Sequence, residues 1–136
     1  MRLSRSPIIL LIGNDAALAY LIERYAQRSG CEVRVHPIVP APAADLDPRP
    51  AALLFSSIEN LEAAQSQIMQ LTSAEIPLLV CSSVNDQSRA RELGADHCLV
   101  HPLTYDGFLA ALIAVRLSPV VQSRTDTTQN PLRASL

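Results

Sequence analysis

Two serine pairs and one histidine are the residues of this 136-residue chain best placed to do chemistry. Ser56-Ser57 and Ser82-Ser83 each follow an apolar run, His101 follows a third, and Gly13-Asn14-Asp15 follows a fourth, Ile8 to Ile12. A hydroxyl beside an imidazole admits nucleophilic chemistry, with Ser56 or Ser82 attacking and His101 as base. No GxSxG elbow and no clear third member accompany that pair. The same serines equally serve to satisfy backbone donors at strand ends and to cap helices. His101 either hydrogen-bonds at a strand end or acts as a group whose charge changes near neutrality. His36 and His97 lie too far apart to suggest a metal cluster. Cys31, Cys81 and Cys98 are widely spaced with no CxxC pair, which argues against a zinc site and for buried, reduced thiols in a cytoplasmic protein.

The elements that position these residues follow from the apolar pattern. Hydrophobic residues make up 49% of the chain and charged ones 18%, a globular composition sufficient for one core. The net charge is −2 with scattered basic residues, which excludes nucleic acid as the main partner. No apolar run reaches the ~20 residues needed to span a bilayer. The two arginines before Pro7 to Ile12 suggest a signal peptide, but Asn14-Asp15 stands where small cleavage-site residues belong, so the run reads as a first strand.

Ile8 to Ile12, Ala51 to Phe55, Ile76 to Cys81 and Cys98 to Val100 are continuous apolar runs, expected of strands covered on both faces. Cys31 to His36 alternates Val33 and Val35 with polar residues, a strand with one wetter face nearer an edge. Leu18, Leu21, Ile22 and Tyr25 predict a helix capped by Asn14 or Asp15 and stopped at Gly30. Ile58 to Leu71 predicts one helix capped by Ser57 or Asn60. Asn85 to Leu93 predicts a short helix ended by Gly94, and Thr104 caps a last one carrying Phe108, Leu109, Leu112 and Ile113. The five prolines between Pro37 and Pro50 leave room for at most a stunted helix over Ala41 to Leu46. Strands alternating with helices predict a doubly wound α/β sheet over 1–117. Residues 118–136 lose all periodicity and read as a disordered tail without a DNA-binding or catalytic domain, so that any output passes through another protein.

The Gly94-Ala95-Asp96 turn, the short strand after it, the residue before Pro102 and the Ile76-Pro77 opening of the fourth strand together resemble response-regulator receiver domains. The similarity runs from about Pro7 to Leu117. It implies a CheY-like, flavodoxin-like five-stranded parallel sheet of order 2-1-3-4-5, with the second helix stunted here. It also implies a cis peptide before Pro102. Receivers take a phosphoryl group from a histidine kinase onto an aspartate after the third strand, with Mg²⁺ held by two acids after the first. Here the acceptor position falls on Ser56, the acid pair on Gly13 and Asn14, and the lysine position on His101. A shift of one residue makes Asn14-Asp15 the pair and restores one acid. Ser82 alone matches, as the hydroxyl after the fourth strand, and Cys98 replaces a common aromatic. A serine without an adjacent base is no phosphoacceptor, and Mg²⁺ loses its carboxylates.

The expectation is therefore a degenerate, stand-alone receiver: not an enzyme, without metal or cofactor, independent of phosphorylation, working by protein–protein interaction in two-component signalling. Its partner is a histidine kinase or an output protein, with neither nucleic acid nor membrane involved. The resemblance assigns the partner face to the fourth helix, fifth strand and fifth helix, with Arg89, Arg91, Cys98, Tyr105 and Arg116 as contacts, and the same face admits a homodimer. Two alternatives stay open. One is a nucleotide- or flavin-binding domain using the strand-end crevice, although Gly13-Asn14-Asp15 is a poor phosphate cradle. The other is a conventional phosphorylated receiver with an atypical acceptor.

Overall fold

The strands of this chain are largely apolar, and three of the five are buried on both faces along nearly their whole length. In the computed structural model, which describes residues 6–43, 46 and 48–115, they form one parallel sheet. The elements are β1 (Ile8–Ile12), α1 (Ala16–Ser29), β2 (Glu32–His36), β3 (Ala52–Phe55), α2 (Ile58–Ala63), α3 (Gln65–Ser73), β4 (Leu78–Ser82), α4 (Gln87–Glu92), β5 (His97–Val100) and α5 (Tyr105–Ala114). The sheet order is β2-β1-β3-β4-β5, as the resemblance implies. Successive strand residues point to opposite faces. Ile9 and Leu11 of β1 thus pack with Leu18 and Ile22 of α1 and with Phe108 and Leu112 of α5. Leu10 and Ile12 pack on the other side, with Leu53, Phe55, Leu61 and Leu71.

Local chemistry sets where the helices begin and end. Asp15 is the cap of α1, its Oδ1 accepting from the Leu18 N–H at 3.0 Å, and Gly30 closes that helix in a left-handed conformation (φ 81°). Ser57 caps α2 and Thr104 caps α5, accepting from Asn60 N–H at 3.2 Å and Gly107 N–H at 3.0 Å. The single helix expected over Ile58 to Leu71 is broken at Ala64. There the Leu61 carbonyl accepts from the Ala64 N–H, and the Gln65 side-chain amide supplies a second donor at 3.1 Å. The helix expected from Asn85 opens instead with a 3₁₀ turn, Val84–Asp86. No α-helix occurs among the described residues between Pro37 and Pro50; Val39 and Ala43 bury themselves over Leu10 and Ile12 without one. The proposed tail, 118–136, lies outside the described residues.

The Gly94-Ala95-Asp96 turn has a physical task. The Asp96 N–H donates to the Leu78 carbonyl at 2.7 Å, and its Oδ2 accepts from the Leu78 N–H at 2.8 Å. This reciprocal clamp sets the β4–β5 register, in which Leu79 lies beside His97. Removing the carboxylate strands a backbone donor next to a buried leucine. Asp96→Ala is expected to lower unfolding free energy in urea by about 1–3 kcal/mol, and Asp96→Asn, which keeps an acceptor oxygen, by less.

Candidate functional site

Parallel strands end on one edge, so the residues after β1, β3, β4 and β5 converge there. The Gly13 N–H donates to the His36 carbonyl and the Ser56 N–H to the Ile12 carbonyl, both at 2.9 Å. The His101 N–H donates to the Ser82 carbonyl at 3.1 Å, and the His101–Pro102 peptide is cis. Gly13, Ser56, Ser82 and His101 thus share the edge. Asp15 does not join them: its carboxylate is committed to the first turn of α1. Asn14 is exposed and borders a shallow cavity of about 350 Å³ beside Tyr20 and Val35.

The centre of the edge is bridged by a side chain that pattern alone does not single out. The Oδ1 of Asn60 accepts from the hydroxyls of Ser56 at 2.6 Å and Ser57 at 2.8 Å. The helical offsets of three and four residues from those serines carry Asn60 back over the strand ends. Its appearance in the sequence as a second-choice cap was the available signal. Gly13 lies directly beneath, at φ +145°, where a Cβ would stand 1.9 Å from Ser56 Oγ and 3.0 Å from Asn60 Oδ1.

This arrangement does not fit Mg²⁺. The acid position at residue 13 has no room for any side chain, the one at 14 is an amide, and Asp15 is a helix cap. A one-residue shift brings in only Asp15, one of whose oxygens is engaged as the cap of α1. Nor does the serine–histidine pair acquire geometry, because the Ser56 hydroxyl is given to Asn60 and His101 is exposed, with no side-chain hydrogen bond between them among the described residues. Ser82 is 4% exposed, and its Oγ has no partner among the described residues. The neighbouring Cys81 thiol is pushed up to about 12, first by burial and then by the charges of Asp15 and Cys98.

On the β5 side, a groove of about 330 Å³ runs between α4, β5 and α5, and Arg91 and Cys98 line it. The other expected contacts go elsewhere. Arg89 forms an ion pair with Glu62 of α2. Tyr105 turns toward α1, with the Arg28 guanidinium 3.8 Å over its ring and Tyr25 5.5 Å away. Cation–π and aromatic attraction hold it there. Arg116 lies outside the described residues. Among the described residues no helix is long and apolar enough to cross a membrane, and no His, Cys, Asp and Glu side chains group to hold a metal.

No protein-family model matches the chain, and no curated protein does. Solved structures do. The fold is that of response-regulator receiver domains. A receiver protein from Burkholderia phymatum aligns at TM-score 0.67 and 14% identity, over 85% of this chain and 99% of its own. The chemotaxis protein CheY4 of Vibrio cholerae aligns at 0.63 and 18%, over 81% and 98%. An orphan response regulator from H. pylori aligns at 0.60 and 26%, over 84% and 99%. All five strands of the receiver sheet are present in this chain, in the order β2-β1-β3-β4-β5.

Two measurements check the site. Gly13→Ala should cost about 1–3 kcal/mol of stability through overpacking and backbone strain, and Ser56→Gly in the same chain should recover the packing share in thermal unfolding. Cys81 contributes stability that is fully present below its unfolded pKa of 9.0 and is lost as pH rises toward about 12, because the unfolded chain ionises first. The fall in unfolding free energy over that window should be steeper in the wild type than in Cys81→Ala.

Proposed function

We propose that this chain is a receiver-fold signalling module of a two-component pathway that binds another protein and takes no phosphoryl group itself. The observation that carries this reading is the closure of the strand-end site by Asn60 over Gly13. Phosphoryl transfer to a receiver needs an ionised acceptor and a cation to neutralise charge. Here the acceptor position carries a neutral hydroxyl already donated to an amide oxygen, and the cation's ligands are a glycine and an amide. A nucleotide or flavin would need the same crevice open. An atypical orphan response regulator, whose structure is described as revealing a phosphorylation-independent regulatory mechanism, aligns at TM-score 0.63 and 21% identity over 82% of this chain and 98% of its own.

Binding falls to surfaces away from the site. The α4–β5–α5 groove, with Arg91 at its rim and Cys98 in its wall, is the docking surface for a kinase or output protein. The chemistry here is recognition rather than catalysis. Burial raises the pKa of both the Cys31 and Cys81 thiols, which keeps them protonated and suits a reducing cytoplasm. Incubation with phosphoramidate or acetyl phosphate and Mg²⁺ should leave the intact mass unchanged in the wild type. Ser56→Asp alone should stay equally inert, since the metal ligands are still missing. A stoichiometric gain of roughly 80 Da in the wild type, the mass of one phosphoryl group, overturns the reading.

A further inference from the structure

The outer edge of β2 is a regular, unguarded strand edge. β2 pairs only with β1 among the described residues. Its Glu32 N–H donates inward to the Pro7 carbonyl at 2.8 Å, and its His36 carbonyl accepts inward from Gly13. Backbone groups alternate sides along a strand, so Val33 and Val35 turn their N–H and C=O groups outward. Exposed edges of this kind are commonly blocked by charged side chains, a proline, a bulge or a covering helix. Among the described residues β2 has no proline, bulge or covering α-helix, and its two charges, Glu32 and Arg34, are of opposite sign: its five residues are Glu-Val-Arg-Val-His, in unbroken register with β1. No α-helix covers it among the described residues of the connection to β3.

We propose that this edge pairs antiparallel with β2 of a second copy, joining two five-stranded sheets into one across a two-fold axis at Val33. Charge selects that register. With Val33 opposite Val33, Glu32 of each copy faces Arg34 of the other, giving two opposite-charge pairs. Both lie at non-hydrogen-bonded positions, where side chains come closest. Centring the axis on Arg34 instead sets two guanidiniums against each other. Within one chain Glu32 and Arg34 already pair at 2.9 Å, on side chains about half exposed (49% and 46%), so the same two groups exchange partners across the axis. The outward groups of Val33 bond reciprocally, and each Val35 N–H reaches the Cys31 carbonyl of the other copy. The Cys31 N–H is spent on the Ala26 carbonyl and takes no part. Apolar surface flanks the seam: Val35 is 43% exposed, Tyr20 60% and Ile38 71%, three of the six large apolar side chains exposed among the described residues. β2 and β5 are opposite edges of the sheet, so both α4–β5–α5 grooves stay open in such a dimer.

Sedimentation velocity on the full chain at increasing concentration tests this. The wild type should dimerise. Arg34→Glu, which faces two carboxylate pairs across the axis, should weaken the dimer by about tenfold or more. Glu32→Arg combined with Arg34→Glu restores complementarity and should bring the dimer back. Val33→Pro removes an outward N–H while leaving the β1–β2 hydrogen bonds in place, and it should give monomers. Thermal melts of each variant establish that it is folded. A wild type monomeric up to its solubility limit, a dimer indifferent to Arg34→Glu, or a double swap that fails to recover the dimer would each overturn the proposal. Inertness to phosphoramidate is a separate result and is unaffected by any of them.

Discussion

One amide oxygen carries an unusual share of this structure. Asn60 Oδ1 accepts two hydroxyl hydrogen bonds, from Ser56 and Ser57. Ser57 Oγ in turn accepts from the Asn60 N–H as the cap of α2. The residue whose N–H receives the helix cap is therefore the one whose side chain reaches the strand-end serines. Each bond contributes about 1 kcal/mol net, a modest sum. The larger effect is exclusion. With Ser56 and Asn60 in place, residue 13 has no space for a Cβ, so a carboxylate there and the amide lid are mutually exclusive. Making room there requires changing or moving the side chains of Ser56 and Asn60, while the Ser57 cap of α2, which bonds the Asn60 backbone N–H, can stay.

The scaffold does not draw its stability from that edge. Both faces of the sheet draw their cohesion from Leu, Ile, Val and Phe side chains that never touch the edge. Phe55, Leu54, Val80 and Leu99 are as buried as any core residue. The edge itself contributes polar bonds and little apolar area. Substituting carboxylates by glycine and serine there removes like-charge repulsion between clustered acids, which costs a metal-free receiver stability. The core therefore does not depend on which polar residues stand at the strand ends.

The legible part of the fold was the part governed by period and punctuation. Uninterrupted apolar runs announced β1, β3 and β4, and Gly30, Ser57 and Thr104 announced helix ends, because burial on two faces and capping are both short-range consequences of residue type. The break at Ala64 was not legible: the stripe from Ile58 to Leu71 is continuous, and the interruption depends on Gln65, which also reaches the Leu93 carbonyl at 2.9 Å. The site was half legible. Counting residues past each strand placed Gly13, Ser56, Ser82 and His101 on one edge. It could not show that Asn60 folds back over them, since that depends on the angle at which α2 leaves β3. Arg89 and Tyr105 lie on the elements expected to make the partner face, yet an acid on α2 and a stacked pair on α1 turn them away. Element assignment constrains a residue's backbone and leaves its rotamer to its neighbours.

The two ends of the sheet end up with unlike surfaces for a single topological reason. The connection from β2 to β3 spends its residues on prolines, which cannot donate to a helix ladder, so among the described residues this face is covered by Val39, Ala43 and Leu46 rather than by an α-helix. At the other end β5 is flanked by α4 and α5, which leave a groove rather than an open backbone. A bare edge recognises by main-chain hydrogen bonds and needs an extended partner, whereas a groove between helices recognises by side-chain shape.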